Sequence, residues 1–285
     1  MKTIKLHHLL ASCFALLIVL VSGCEEVPPV LNPGGSASSE VTPVDQQQRQ
    51  VLIEEFTGVR CVNCPAGSEA IEALLDQHGE RLVAVSIHAG FFATPFDESN
   101  EDLSNAQGAN IMSLLNEPLG FPTAVVNRRQ FAGEESRQLG QGQWAGYIAE
   151  ELAPEPSVRI DIQNTYNANS RDLTIEVDMY AVEDVNAEDV RLTVYLTESN
   201  VVDMQQTPEG RDANYTHKHV FRKALTAVAG EQISEAFTTG AVISRSFDYV
   251  LPDNFKDTEC EIVAFVHRGG ETLDVLQAHR AKVVE

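Results

Sequence analysis

The chain has 285 residues, with 42 acidic and 20 basic side chains and a formal net charge of −22. So acidic a chain is not expected to bind nucleic acid, and it would be repelled by anionic lipid headgroups. It has only five cysteines, two of them as a close pair, which excludes a disulfide-rich framework.

The N-terminus has the pattern of a signal peptide. Lys2 and Lys5 precede an apolar run over residues 9–21, which is too short to span a membrane comfortably. The run ends in Val21-Ser22-Gly23-Cys24, which resembles a lipobox. This resemblance implies cleavage after residue 23 and acylation of Cys24, which would anchor the chain without spanning the bilayer. Cleavage by an ordinary signal peptidase, with Cys24 incidental, is the alternative.

Composition divides the remaining chain into three parts. Residues 24–49 are rich in Pro, Gly, Ser, Glu and Gln, and therefore predict a flexible tether. Pro154 and Pro156 stop a helical pattern and predict a boundary between a domain over 50–153 and a second domain over 154–285.

The first domain has alternating strand and helix patterns. Predicted strands cover 51–56, 82–88 and 124–127, with a short strand around Phe131, and predicted helices cover 66–78, 102–116 and 141–152. The first strand, helix and strand predict a parallel βαβ unit.

Cys61-Val62-Asn63-Cys64 lies between the first strand and the first helix. The N-H groups and dipole at a helix N-terminus favour a thiolate at Cys61, the attacking species in disulfide exchange. Cys64 lies one turn further on the same face, where it could resolve a mixed disulfide. A merely structural Cys61–Cys64 disulfide is the alternative.

Residues 50–152 resemble the thioredoxin superfamily. Glu55, six positions before Cys61, matches the acidic residue that assists proton transfer there, and Gly120-Phe121-Pro122-Thr123 resembles the cis-proline docking loop. The resemblance implies catalytic roles for Glu55 and Pro122 beside the cysteines, with Thr123 as an accessory. Arg60 replaces the usual Trp, and would add positive charge near the thiolate.

Two nearby features leave alternatives open. His88, at the carboxyl end of its strand, either tunes the dithiol or is a hydrogen-bonded strand-end residue. The aromatic segment 91–96 either docks a substrate or packs against its own domain.

The second half has strand patterns and no convincing helix. Predicted strands cover 158–163, 173–180, 190–197, 217–225, 243–250, 261–266 and 275–283, which is typical of an immunoglobulin-like β-sandwich. Cys260 is interpreted as a packing residue, with intermolecular pairing as the alternative. His217 and His219 are predicted to share one strand face and to serve in hydrogen bonding, with metal binding or pH sensing as the alternative. No metal or cofactor is predicted.

The lipobox, residues 54–65, Ile87-His88-Ala89-Gly90, the loop at 120–123 and Tyr215–Val220 together resemble the outer-membrane-protein-28-related lipoproteins of Gram-negative bacteria. The resemblance implies an α/β thioredoxin-like domain followed by an all-β immunoglobulin-like sandwich. It also implies a location at the outer membrane, facing the periplasm or the cell surface.

The predicted function is thiol-disulfide exchange on exported proteins or peptides, with Cys61 as nucleophile and Cys64 as resolving thiol. The alternative is a non-enzymatic surface binding or adhesion lipoprotein with a structural disulfide.

Overall fold

Thirteen β-strands and three α-helices form the part of the chain that the computed structural model describes, residues 44–185 and 189–284. The helices are α1 (Cys64–His78), α2 (Ala106–Leu114) and α3 (Gln141–Glu151). The strands are β1 (Val51–Thr57), β2 (Leu82–His88), β3 (Thr123–Val126), β4 (Val158–Asn167), β5 (Asp172–Ala181), β6 (Val190–Glu198), β7 (Val201–Thr207), β8 (Gly210–His217), β9 (Val220–Ala224), β10 (Glu231–Ile233), β11 (Val242–Val250), β12 (Cys260–Arg268) and β13 (Val275–Lys282). Within the same residues, no helix is long and apolar enough to cross a membrane.

The strands form three sheets. The largest has eight strands in the order β13-β12-β6-β9-β2-β1-β3, with β10 also paired to β6. A second sheet has the order β11-β5-β4, and β7 and β8 form a separate hairpin. The two edge strands of the large sheet, β13 and β3, approach each other at one point. The N-H of Val275, the first residue of β13, donates to the carbonyl of Asn127, which directly follows β3, at 2.9 Å.

The predicted fold class, an α/β thioredoxin-like domain followed by an all-β immunoglobulin-like sandwich, is wrong. The described chain is predominantly β-sheet, and strands from both halves of the sequence belong to one sheet. They join where β2 and β9 pair in parallel at Ser86 and Val220, beside a 2.7 Å hydrogen bond from the Ser86 N-H to the His219 carbonyl. Strand β2 therefore has a neighbour on each side and is buried throughout. The division into domains at 153/154 stays a prediction.

Several predicted elements differ from the observed ones. The helix predicted over 102–116 is shorter, and the segment around Phe131 is a turn. The strand predicted over 217–225 is interrupted at Lys218 and His219, where His219 has a φ of 53°. The hairpin β7–β8 was not predicted at all. The predicted signal peptide, with Cys24, lies outside the described residues, as does most of the tether.

Strand β1 is buried on both faces because it lies between two cores. Leu52 and Phe56 pack with residues of β6, β9, β12 and β13, whereas Val51 and Ile53 pack with α1 and α3. Since side chains alternate along a strand, Glu54 points into the first core and Glu55 into the second.

A buried ion pair neutralises Glu54. Arg128 Nε and Nη2 donate to the two Glu54 carboxylate oxygens, each at 2.8 Å, and both side chains are fully buried. Arg128 Nη2 also donates to Tyr195 Oη at 2.6 Å, and its guanidinium lies 4.6 Å from the centre of the Phe265 ring. The pair therefore connects β1 to β6 and β12, which come from the other half of the chain.

We expect Arg128→Ala to lower the free energy of unfolding by about 3–5 kcal/mol, because it leaves the Glu54 carboxylate buried without its partner. Arg211→Ala is the control, since Arg211 makes an exposed ion pair with Glu98 and its loss should cost less than about 1 kcal/mol. Urea unfolding followed by circular dichroism measures both. Equal, small losses would contradict the assigned role of the buried pair.

Candidate functional site

Cys61 and Cys64 are joined by a disulfide in the segment between β1 and α1. The Cys61 N-H donates to the Gly58 carbonyl at 3.0 Å, which closes a turn directly after the strand. Cys64 is the first residue of α1, and Pro65 follows it at a position that suits the start of a helix. Only 3% of Cys61 and 1% of Cys64 are exposed, so the disulfide is buried.

The hairpin β7–β8 packs against the disulfide segment. Gln205 is buried, and its Nε2 donates to the Cys61 carbonyl at 3.0 Å and to the Gly58 carbonyl at 3.4 Å. The Gln206 N-H donates to the Val59 carbonyl at 2.7 Å. These bonds satisfy backbone carbonyls of the turn and hold the hairpin against it, next to the buried disulfide.

Arg60 holds the aromatic segment 91–96 against the turn. Its Nε and Nη2 donate to the carbonyls of Thr94 and Pro95 at 2.7 and 2.6 Å, and its guanidinium lies 4.4 Å from the centre of the Phe96 ring. Phe96 is buried, whereas Phe91 is 83% exposed. The segment therefore contains both a packing residue and an exposed aromatic side chain, so both functions proposed for it have a structural basis.

Glu55 lies fully buried on the α1 side of β1. Ser86 Oγ donates to Glu55 Oε2 at 3.0 Å, while Oε1 has no hydrogen-bond partner among the described residues. Burial raises the pKa of Glu55 to about 7, although the bond from Ser86 opposes the shift. Glu55 can therefore exchange a proton near neutral pH.

Pro122 packs beside Glu55, and the Phe121–Pro122 peptide bond is cis. A Cβ atom on Gly67 of α1 would come within 2.7 Å of the Pro122 side chain and 2.9 Å of Glu55 Oε1. The helix, the proline and the carboxyl are thus in close contact, which only glycine permits at position 67. Thr123 Oγ1 donates to the Leu139 carbonyl at 2.9 Å and so contributes to packing next to the loop.

His88 on β2 makes an edge-to-face contact with His217, the last residue of β8 in the hairpin. Their ring centres are 5.3 Å apart, and they line a small polar cavity together with Cys64, Ser86 and Gln205. Burial lowers the pKa of His88 well below its ordinary value, and lowers that of His217 to about 4. Both rings are therefore neutral at physiological pH.

His219 does not share a strand face with His217, contrary to expectation. It lies in the turn between β8 and β9, and its Nε2 is 3.1 Å from Oε1 of Glu72 on α1, which also pairs with Lys218. Across 44–185 and 189–284, no group of three His, Cys, Asp or Glu side chains is arranged to hold a metal ion. Cys260 is buried, and burial raises the pKa of its thiol to about 12. It is a packing residue.

The resemblance to the thioredoxin superfamily implied that Glu55 and Pro122 lie beside Cys61 and Cys64, and in the structure these four residues lie together around the start of α1. Sequence reasoning missed Gln205 and the hairpin. The available signal was the turn sequence Thr207-Pro208-Glu209-Gly210, which separates two short polar strands. The strands have no apolar alternation strong enough to identify them.

Comparison with known proteins gives one family match. The family model described as "Outer membrane protein Omp28" matches residues 117–285. A search of curated proteins found no match.

Solved structures give further likenesses. HBP35 of Porphyromonas gingivalis is similar with a TM-score of 0.67 and 22% identity, over 83% of this chain and 76% of that chain. Protein AGR_C_4864 from Agrobacterium tumefaciens has a TM-score of 0.53 and 13% identity, over 84% of this chain and 97% of that chain. A domain of the outer membrane lipoprotein Omp28 from Porphyromonas gingivalis has 19% identity and a TM-score of 0.31, over 46% of this chain and 90% of that chain. The first two likenesses show the fold, and each runs across both predicted domains.

Replacing Glu55 by Gln should make stability less dependent on pH. The pKa of the Glu55 carboxyl is near 4.5 in the unfolded chain and about 7 in the folded one. The free energy of unfolding of the wild type therefore falls by about 3 kcal/mol as pH rises through that window, whereas that of the variant does not. The free energy of unfolding of Glu55→Gln minus that of the wild type should therefore increase between pH 4.5 and pH 8, as measured by chemical unfolding. Glu69→Gln, on the exposed side of α1, is the control. A gap that stays constant with pH would contradict the buried, neutral carboxyl.

Proposed function

Because the chain belongs to the Omp28 family of outer membrane proteins, we propose that it is a lipid-anchored surface lipoprotein that binds exported proteins or peptides without catalysis. Its outer-membrane location follows from the family. The binding role, the anchor and the partners are the proposal. The observation that carries it is the burial of the Cys61–Cys64 disulfide beneath the hairpin β7–β8.

Burial of the disulfide argues against catalysis. Thiol-disulfide exchange requires a thiolate to approach a sulfur atom in line with the S–S bond, so the sulfur must be accessible. Both cysteines are almost fully covered, and Gln205 binds the backbone of the covered turn. A disulfide in this position instead connects the end of β1 to the start of α1 and stabilises the surface around it.

The surface beside the disulfide supports binding. Phe91 and Leu119 are exposed, and the rings of Phe92 and Phe121, close to them in sequence, lie 5.6 Å apart in an edge-to-face contact. Val62, between the two cysteines, is also exposed. Exposed aromatic and aliphatic side chains of this kind suit an apolar segment of an exported protein.

The proposed anchor is a lipid on Cys24, connected to the folded part by residues 24–49. The net charge of −22 supports a lipid anchor, because the chain offers no overall basic attraction to anionic membranes. Glu25 and Glu26 directly after Cys24 resemble acidic surface-export signals and favour display to the outside.

A second candidate function is thiol-disulfide exchange, with Cys61 as nucleophile, Cys64 as resolving thiol and Glu55 as proton-transfer group. The observation that favours it is the Glu55 carboxyl, which titrates near neutral pH and is in close contact with Pro122 behind the dithiol. Pro122 would present the docking loop, with Arg60, His88 and Thr123 as accessory residues. This function requires the hairpin to move away from Cys61.

Turnover on a model disulfide distinguishes the two functions. With residues 25–285 and glutathione as reductant, we expect insulin to be reduced no faster than without protein, in wild type and Cys61→Ser alike. Cys260→Ser leaves the disulfide intact and serves as the matched control. Turnover by wild type and Cys260→Ser that is lost in Cys61→Ser would contradict the binding role and establish exchange.

The anchor is tested by metabolic labelling with a radioactive fatty acid in a Gram-negative host. We expect the full chain to incorporate label and to fractionate with membranes, and Cys24→Ser to do neither. Cys13→Ser, within the predicted signal peptide, should behave as wild type. Label retained by Cys24→Ser would overturn the assignment of Cys24.

A further inference from the structure

The hairpin β7–β8 is attached to the rest of the fold mainly through side chains. Among the described strands, β7 and β8 pair only with each other, and most residues of β8 are exposed. Val201 and Met204 of β7 pack into a small apolar cluster that also contains Val59 and Phe96. A segment with so few buried apolar contacts can open locally while the rest of the fold stays closed.

Two buried histidines meet where the hairpin contacts the large sheet. His88 is the last residue of β2, His217 is the last residue of β8, and their ring centres are 5.3 Å apart. His88 Nδ1 has no hydrogen-bond partner among the described residues, and the bond of His217 Nε2 to the Met204 carbonyl is long, at 3.4 Å. The contact therefore suits two neutral imidazoles, and a charged imidazole in it would be poorly solvated.

The charged groups around the two rings do not compensate a proton on them. Asp203 on β7 and Glu101 favour a charge on His217, but each already has other partners. Asp203 accepts the N-H groups of Asn100 and Glu101, and Glu101 is paired with Arg222 on β9. The Arg222 guanidinium opposes a positive charge on both imidazoles.

The remaining polar groups near the rings are neutral or cationic in acid. The Tyr215 ring on β8 lies 4.8 Å from that of His217, and Lys218 lines the same cavity. From β1, Glu55 reaches the cavity through its bond with Ser86. Because the pKa of Glu55 is raised to about 7, its carboxyl is neutral below that pH and offers no negative charge to the imidazoles.

Protons therefore favour an open hairpin. Burial lowers the pKa of His88 well below its ordinary value and that of His217 to about 4, whereas hydrated imidazoles titrate near 6.5. The open form binds protons more readily than the closed form, so the closed form loses stability as pH falls below about 6.5. Each imidazole raises the ratio of open to closed hairpin by up to about tenfold per pH unit until its pKa in the closed form is reached.

We propose that the contact between His88 and His217 is an acid-sensitive latch, which holds the hairpin closed near neutral pH and releases it in acid, so that the Cys61–Cys64 disulfide becomes accessible. Release is a local opening of the hairpin in which both imidazoles become protonated and hydrated. This inference rests on the proposed function, in which the disulfide is buried beneath the hairpin, and adds the condition that ends its protection.

The rate at which tris(2-carboxyethyl)phosphine reduces Cys61–Cys64 tests the latch, because a phosphine still reduces disulfides in acid, where thiols lose their reactive thiolate. Residues 25–285 are treated between pH 7 and pH 4.5, and the new thiols are alkylated and counted by mass spectrometry. Oxidised glutathione in the same buffers supplies the rate for a fully exposed disulfide. We expect the rate of the protein relative to glutathione to rise at least about fiftyfold over this range, which one imidazole alone provides.

The double variant His88→Gln with His217→Gln has neutral side chains at every pH and should show no such rise. Each single variant keeps one imidazole and should show an intermediate rise. His267→Gln is the matched control, because His267 is buried in the large sheet beside Thr193 and its pKa is also lowered, to about 3. It should keep the rise of the wild type.

Fluorescence of Trp144 separates local opening from unfolding, since this single tryptophan is fully buried in the core between β1 and α3. It should not change between pH 7 and pH 4.5. A rise in rate that follows a change in this fluorescence, or that persists in the double variant, overturns the latch. Slow reduction at every pH also overturns it but leaves the protected disulfide intact, whereas fast reduction already at pH 7 contradicts the proposed function itself.

Discussion

The buried ion pair of Glu54 and Arg128 determines how the strands of the two halves of the chain pack together. Arg128 follows β3, yet it reaches Glu54 on β1, Tyr195 on β6 and the ring of Phe265 on β12. A charge this deeply buried is tolerated only with its partner, so these strands cannot separate without a large cost. The pair thereby fixes the two halves of the chain against each other, and β1 becomes the strand that both cores share.

The opposite face of β1 carries the candidate site. One residue after Glu54, the chain directs Glu55 toward α1, and a few residues later it turns at Gly58 into the disulfide. Because β9 pairs with β2, the preceding hairpin β7–β8 is held next to that turn, where Gln205 binds Cys61. The strand order that makes one sheet of the two halves therefore also places the hairpin against the turn that carries the disulfide.

The sequence predicted what local patterns encode. The helix after Cys64 and the buried strands 51–56 and 82–88 follow from periodicity and turn residues. The proximity of Glu55, Pro122 and the cysteines was implied by the resemblance to the thioredoxin superfamily and not by these patterns. The fold class was wrong because β2 and β9 are more than 130 residues apart and their pairing leaves no periodic signal in either segment. Strand β8 was missed because its residues are mostly exposed and polar, and Gln205 because a glutamine in a short polar strand has no distinguishing pattern.

We infer that the hairpin protects a structural disulfide, and the rate at which dithiothreitol reduces Cys61–Cys64 measures that protection. Gln205→Ala removes the bonds to Cys61 and Gly58, whereas Gln206→Ala keeps the backbone bond to Val59 and loses only a contact within the hairpin. We expect slow reduction in wild type and Gln206→Ala, and reduction about tenfold faster in Gln205→Ala, which corresponds to roughly 1.4 kcal/mol of lost protection. Fast, equal reduction in all three proteins would contradict it, and would mean that the disulfide is open to exchange.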